Sequence, residues 1–343
     1  MSKPRPLSFR LISIIAIVCI SVASALAQHD GTGSTAGGGS LGGPTKPRTT
    51  TKPTTTKPST TSTRRTTPTS TAPTTRKTAP RPTTPTTPTT ATTPTADFYE
   101  KQGDEQYDAK NYNDAIQSYT KALQLNPSSA HANYRIGWIY NEQEQYTQAL
   151  TYLNRSLQFD ARSAAAQFER GYAFRKLERY AEALSAFQQA VALQSDYASA
   201  YYYMGWIYNE QENYDDAIPN LKKALQFKRD YADAHIELGY AYYKNGRQTE
   251  AIEEYQEAIR TRPNSAIAHA GLGEVYYSTR QYSLAVNASR EAVRLDPNNS
   301  RAHYYLGLSY YALNNRSAAM EEYRILQRLD PERATKLFNA INK

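Results

Sequence analysis

Residues 130–163 read AHANYRIGWIYNEQEQYTQALTYLNRSLQFDARS. Large or apolar side chains recur in it at helical spacing in two runs, the first around Ile136 and Tyr140 and the second around Leu153 and Leu157. The polar stretch NEQEQ separates the two runs and has the length of a helix-to-helix turn. This segment therefore predicts two antiparallel helices, here called A and B.

The same 34-residue pattern returns seven times without a change of register. A glycine marks each copy: Gly103, Gly137, Gly171, Gly205, Gly239, Gly273 and Gly307. An alanine stands at a fixed distance after each glycine: Ala115, Ala149, Ala183, Ala217, Ala251, Ala285 and Ala319. Small residues at these two places let the axes of helices A and B approach closely. A period of this length indicates a stacked solenoid, and solenoids usually present a surface for binding.

The repeat closely resembles the tetratricopeptide repeat. Large residues flank the glycine, an aromatic such as Phe187 often follows the alanine, and a proline such as Pro297 closes most copies. Departures are local, since Ser195 and Arg229 stand where that proline is usual. The resemblance covers residues 97–331 and implies an all-α, right-handed α-α superhelix whose A helices line a concave groove. Residues 332–343 are predicted to form a capping helix that solvates the end of the array.

Residues 1–27 are predicted to be a secretory signal peptide. Lys3, Arg5 and Arg10 precede an apolar stretch, and the small-residue exit ends at Ala27. The alternative is an uncleaved membrane anchor, although the apolar run is at the short limit for a spanning helix. We therefore expect an exported protein of the periplasm or cell surface, bacterial because of the alanine-rich exit.

Residues 28–96 are of low complexity, Gly-rich at first and then rich in Thr, Pro, Lys and Arg. This stretch lacks the apolar side chains for a core, so we predict a disordered linker, either a plain spacer or an O-glycosylated stalk. It holds nine Lys or Arg from residue 44 onward, whereas the repeats carry a net charge of −3 out of the total of +8. The basic charge therefore belongs to the linker, and nucleic-acid binding by the repeats is not expected.

Catalysis, metals and cofactors are not expected. Cys19, the one cysteine, lies in the predicted signal segment, which excludes thiol chemistry from the mature chain. His235, His269 and His303 recur at the interval of the repeat, but they would lie on successive helices and could not converge on one ion. Paired carboxylates such as Glu253 and Glu254 suit a solvated helix face.

A second face of helix A, one residue round from the packing face, is the candidate groove. Four consecutive repeats place a ring directly after the glycine, where the family more often has a polar residue. The candidate ligand-binding residues are Tyr134, Arg135, Trp138, Asn141, Phe168, Tyr172, Arg175, Tyr202, Trp206, Asn209, Tyr240 and Tyr243. The rings either form an aromatic ladder in the groove or pack against neighbouring helices, and the Asn and Arg side chains either bind a ligand backbone or are solvated.

These features favour a non-catalytic protein–protein interaction scaffold that binds an extended peptide segment in the groove. The alternative is a cell-envelope glycan-binding or adhesion protein, in which the same rings stack on sugars and the basic linker adheres to polysaccharide. A membrane partner is expected only if the N-terminal segment stays as an anchor. The groove lacks the lysine, asparagine and arginine set with which some members of the family clamp a C-terminal carboxylate.

Overall fold

The computed structural model describes residues 94–343, which form fifteen helices and no strand. The predicted signal peptide and the linker up to residue 93 lie outside the described residues. The helices are α1 Ala96–Asp108, α2 Tyr112–Leu125, α3 Ala130–Glu142, α4 Tyr146–Phe159, α5 Ala164–Lys176, α6 Tyr180–Leu193, α7 Ala198–Glu210, α8 Tyr214–Phe227, α9 Ala232–Lys244, α10 Gln248–Thr261, α11 Ala266–Ser278, α12 Tyr282–Leu295, α13 Ser300–Ala312, α14 Arg316–Leu329 and α15 Pro331–Ile341. Odd-numbered helices up to α13 are the A helices of seven repeats, and even-numbered helices are the B helices.

In repeats one to five, the glycine of helix A meets a large side chain of helix B. A Cβ atom placed on Gly171 would lie 2.7 Å from the Phe187 ring, and one on Gly205 would lie 2.5 Å from Cγ of Leu221. Phe187 and Leu221 are fully buried. The predicted close approach of the two helices at the glycine is confirmed.

The A helices form one wall of the array and the B helices the other. Successive A helices contact one another in the pairs α3–α5, α7–α9, α9–α11 and α11–α13, whereas no pair of B helices within residues 94–343 makes comparable contact. The apolar core beneath them is divided into clusters of unequal size. The largest joins repeats three to six, and a smaller one around Tyr119 and Ile136 belongs to the first two repeats.

The turn from helix A to helix B has the same geometry in every repeat. In the second repeat the N–H of Gln145 donates to the carbonyl of Tyr140 at 2.8 Å, and the N–H of Glu144 donates to that of Asn141 at 3.1 Å. This is a Schellman motif, which requires a left-handed residue after the helix. That residue is Gly246 in the fifth repeat, with φ +77°, but a side chain elsewhere: Lys110, Glu144, Glu178, Glu212, Arg280 and Asn314, with φ of 58° to 61°.

Helix α15 covers the end of the last repeat. Ala334, Leu337 and Ile341 are buried, while Phe338 stays 41% exposed. Leu337 also takes the place of the residue that packs on the repeat glycine, because a Cβ on Gly307 would lie 2.6 Å from it. One face of α15 is thus apolar and packed, and the opposite face is open to solvent.

The left-handed turns generate a stability prediction. A residue with a side chain in this conformation is strained by about 1–2 kcal/mol. Glycine avoids this strain, but part of the gain is offset because glycine loses more conformational entropy on folding. We expect Glu144→Gly and Glu178→Gly each to stabilise the fold by about 0.5–1 kcal/mol. Denaturant unfolding followed by circular dichroism measures the change.

Gly246→Glu is the matched control, because it introduces the same side chain into the turn that has glycine. It should destabilise the fold by a similar amount. A loss of stability in Glu144→Gly would mean that the glutamate side chain contributes more than its backbone strain costs.

Candidate functional site

The four rings that follow the glycines form one row across consecutive repeats. Trp138, Tyr172, Trp206 and Tyr240 lie on α3, α5, α7 and α9, and each is partly exposed. Each ring meets, edge to face, the tyrosine that begins helix B of the preceding repeat. The ring centroids are 6.0 Å apart for Trp138–Tyr112, 6.5 Å for Tyr172–Tyr146, 6.2 Å for Trp206–Tyr180 and 6.1 Å for Tyr240–Tyr214. We call these four ring pairs the aromatic row.

The structure thus combines the two interpretations of these rings. They pack against neighbouring helices, yet part of each stays open on the wall formed by the A helices. Edge-to-face pairing is worth about 0.5–1.5 kcal/mol per pair and fixes the orientation of each ring. The B-helix tyrosines were missed by the sequence analysis, although their regular recurrence at 112, 146, 180 and 214 is visible in the sequence.

Arg175 lies inside the aromatic row. Its guanidinium carbon is 5.0 Å from the centroid of Tyr172, 4.7 Å from that of Tyr203 and 5.0 Å from that of Trp206. Its Nε is buried without a hydrogen-bond partner, and no carboxylate of residues 94–343 forms an ion pair with it. A cation among three rings is stabilised by their π faces but keeps its charge unneutralised. Arg175 can therefore receive an anionic group from a ligand.

Arg135 has a different environment. Its Nε lies 3.1 Å from a carboxylate oxygen of Asp104, and its guanidinium carbon lies 4.5 Å from the Tyr107 ring centroid. The side chain of Arg135 is 22% exposed. The charge of Arg135 is thus used to join the first two repeats.

Asn141 and Asn209, predicted either to bind a ligand or to be solvated, are buried and join neighbouring repeats. Nδ2 of Asn209 donates to the backbone carbonyl of Glu237 at 3.0 Å and to its carboxylate at 2.9 Å. Nδ2 of Asn141 likewise donates to the backbone carbonyl of Glu169 and to its carboxylate, at 3.0 Å each. Both asparagines are buried, and we call these contacts the Asn–Glu clamps. Their recurrence has a sequence signal that was missed, because GWIYNEQE stands at both 137–144 and 205–212.

Phe168, another predicted ligand-binding residue, is buried in the core. It belongs to the large core cluster, 4.8 Å from the Tyr197 ring and 5.6 Å from the Phe187 ring by centroids. Phe168 is therefore a core residue of this cluster, although Tyr134 and Tyr202 at the equivalent positions of repeats two and four stay partly exposed.

The remaining predicted rings are packed but not fully covered. Tyr134 lies against the cluster of Ala149, Leu150, Leu153 and Ala173. Tyr202 packs near Tyr231 with 4.8 Å between ring centroids, and burial raises its pKa strongly. Tyr243 is partly exposed, and its pKa is raised by burial and then by the nearby Glu274. These three side chains border the aromatic row without being part of it.

The rim beside the aromatic row alternates in charge from repeat to repeat. Glu142, Lys176, Glu210 and Lys244 occupy equivalent exposed positions. Nζ of Lys176 lies 5.9 Å from the Tyr172 centroid, and that of Lys244 lies 5.6 Å from the Tyr240 centroid. A segment lying along the rings would meet charges of both signs.

The recurring histidines make hydrogen bonds within the fold. Nδ1 of His235 lies 2.6 Å from Glu254, and Nδ1 of His303 lies 2.6 Å from Glu322. Burial opposes the charge on each ring, but the glutamate and a backbone carbonyl outweigh it and raise both pKa values. Across residues 94–343 no three His, Cys, Asp or Glu side chains converge as a metal site would need.

Two sequence profiles of one repeat family match the chain. The profile described as "TPR repeat" matches residues 171–211, 205–246 and 239–279, and the one described as "Tetratricopeptide repeat" matches residues 100–167 and 270–334. The chain belongs to the tetratricopeptide repeat family. Proteins of this family bind protein or peptide partners, so the chain is an interaction scaffold in this general sense.

Solved structures of other proteins share the fold. The structure of pilF from Pseudomonas aeruginosa is 20% identical in sequence, with a TM-score of 0.56, over 61% of this chain and 96% of that one. The C-terminal part of a repeat protein from Cytophaga hutchinsonii is 18% identical, with a TM-score of 0.55, over 69% of this chain and 98% of that one. A tetratricopeptide repeat protein from Parabacteroides merdae is 15% identical, with a TM-score of 0.53, over 72% of this chain and 99% of that one. No curated protein matches the sequence.

The Asn–Glu clamp of the fourth and fifth repeats generates a pH prediction. Burial raises the pKa of Glu237 to about 7, helped by Glu210 and Asp233 and opposed by the hydrogen bond from Asn209. The folded protein therefore binds a proton that the unfolded chain has already released, so stability falls as the pH rises from about 4.5 to about 7. We expect Glu237→Gln to stabilise the fold by about 1–3 kcal/mol at pH 8 and to leave it unchanged below about pH 4.5.

Denaturant unfolding of the two proteins at both pH values measures this difference. The control is Glu253→Gln, which removes an exposed carboxylate from α10 and should not alter the pH dependence. Equal stability of Glu237→Gln and wild type at pH 8 would show that the Glu237 carboxylate is well solvated.

Proposed function

We propose that this chain is a non-catalytic scaffold that binds an extended peptide segment along the aromatic row. The observation that carries the proposal is that Trp138, Tyr172, Trp206 and Tyr240 are all partly exposed while each is held by a tyrosine of the preceding repeat. Rings fixed in this way lose little conformational entropy when a ligand packs on them.

The dimensions of the row suit an extended chain. Neighbouring helices lie about 8–10 Å apart, so four rings extend over about 30 Å. A peptide in extended conformation rises about 3.3 Å per residue, and about nine residues would cover this length.

The polar part of the site favours a segment with a carboxylate near its middle. Arg175 lies between Tyr172 and Trp206, and it has no ion pair with residues 94–343. A bound carboxylate would satisfy the guanidinium and gain from a charge-assisted hydrogen bond. Apolar or aromatic neighbours of that carboxylate would pack on Tyr172 and Trp206.

We further propose that the protein acts outside the cytoplasm, on the sequence pattern of residues 1–27 alone. Between residues 94 and 343 no helix has the length and apolar character to cross a bilayer. The mass of the protein purified from its native host tests this part, because cleavage would leave a chain that begins at Gln28. A mass equal to that of the whole chain would contradict cleavage.

Removing two rings of the row should abolish peptide binding. We expect Trp138→Ala with Trp206→Ala to raise Kd by about a hundredfold or more, at about 1–3 kcal/mol per anchor ring, with helical content unchanged. Peptides selected on wild type from a phage-displayed random library serve as ligands, and fluorescence polarisation measures Kd. The matched control is Phe159→Ala with Phe227→Ala, two exposed rings on B helices.

Equal loss in both double variants would contradict a groove at the aromatic row. If no peptide is selected and the wild-type protein binds sugars on a glycan array, the protein binds glycans and not peptides. Loss of helical content in the tryptophan double variant would show that the two rings are structural.

Arg175 should bind the carboxylate of an acidic residue in the peptide. We expect Arg175→Gln to weaken the binding of a selected acidic peptide by about tenfold, through loss of one charge-assisted contact. The same peptide with its Asp or Glu changed to the amide should bind wild type and Arg175→Gln with similar affinity. Additive effects of the two changes would show that Arg175 does not contact the carboxylate.

A further inference from the structure

Repeats five and seven share a buried histidine–glutamate pair on the packing side of helix A. In repeat five, Nδ1 of His235 lies 2.6 Å from Oε2 of Glu254, and Nε2 lies 3.0 Å from the carbonyl of Arg229. In repeat seven, His303 makes the same two contacts, with Glu322 at 2.6 Å and the carbonyl of Pro297 at 3.0 Å. Both nitrogens of each ring are thus used.

Repeat six has the histidine, His269, but no glutamate at the position that pairs with it. Nε2 of His269 lies 3.1 Å from the carbonyl of Pro263, which fixes its ring as in the other two repeats. At the position on helix B where the other two repeats have glutamate, repeat six has Ala288. Nδ1 of His269 therefore has no hydrogen-bond partner among residues 94–343.

An open cleft of about 360 Å³ lies where the glutamate side chain would be. It is bounded by α10, α11 and α12, and its lining includes both His269 and Ala288. The apolar part of its wall is formed by Ile259, Leu272, Tyr276 and Leu284. Gln256, Asn287 and Glu291 supply polar groups at its edge, and Gln256 donates a hydrogen bond to the Tyr276 hydroxyl. The size is that of a small-ligand site, and apolar walls with a few polar groups are the usual composition of such a site.

We propose that this cleft binds a small apolar monocarboxylate. The carboxylate takes the position of the absent glutamate and accepts a hydrogen bond from Nδ1 of His269. The hydrocarbon part of the ligand packs against Ile259, Leu272 and Leu284. The cleft lies on the α10–α12 side of the array and is separate from the aromatic row.

The carboxylate of Glu291, which also lines the cleft, does not prevent this. It accepts hydrogen bonds of 2.8 Å and 2.6 Å from Arg294, which neutralises it. Repeat five has the same arrangement, because Glu257 pairs with Arg260 one helical turn from Glu254. That repeat holds both carboxylates on one helix, so the sixth repeat can hold a ligand carboxylate beside Glu291.

Titration of the full chain with 4-methylpentanoate, followed by calorimetry, tests the proposal. We expect saturable binding of one equivalent, and binding weaker by about tenfold or more for the uncharged 4-methylpentanamide. Ala288→Glu should restore the pair found in repeats five and seven. We expect it to weaken the binding of 4-methylpentanoate by about tenfold or more and to raise the Tm in the absence of ligand.

The matched control is His303→Gln, which alters an equivalent histidine whose carboxylate is present. It should leave the affinity for 4-methylpentanoate unchanged, and so should Trp138→Ala with Trp206→Ala, which separates this site from the peptide groove. Absence of saturable binding by wild type, equal affinity for acid and amide, or undiminished binding by Ala288→Glu would each overturn the proposal.

Discussion

The contact between the glycine of helix A and the large side chain of helix B sets the rest of the architecture. A methyl group on Gly103, Gly137 or Gly171 would lie 2.6–2.7 Å from the Tyr119, Leu153 or Phe187 side chain, far inside van der Waals contact. The two helix axes therefore stay close only while the position has no side chain. Every copy keeps a glycine at this crossing, although it faces Ser289 in repeat six and Leu337 of α15 in repeat seven. The repeats therefore have the same geometry and stack in register, and residues at equivalent positions align in rows.

Most of the fold follows from the 34-residue period, whereas the polar contacts do not. Periodicity indicates which residues face helix B, because glycine and alanine mark the crossing. It does not show whether Asn141 turns towards a ligand or towards Glu169, since both lie on the same side of helix A. Local sequence likewise leaves the turns undetermined, because six of them adopt a left-handed conformation without glycine. Those details depend on the neighbouring repeat, which the period alone does not describe.

The aromatic row ends at repeat six, where the residue directly after the glycine is no longer aromatic. In repeat six, Glu274 occupies the place of the ring, and it pairs with Arg301 and accepts a hydrogen bond of 2.8 Å from Tyr305. A largely buried carboxylate requires such partners, because removing a charge from water is costly unless it is paired. This network ties repeats six and seven together and leaves no surface for ring stacking, so the stacking surface is confined to repeats two to five.

The division of the apolar core affects how a bound molecule would leave. Trp138 rests on the small cluster of the first two repeats, whereas Tyr172 and Trp206 pack against the large cluster of repeats three to six. Segments with less buried apolar surface open more often in native-state fluctuations. A peptide bound along the aromatic row would therefore dissociate first from Trp138 and then from the following rings. Its dissociation would follow the order in which the repeats unfold locally.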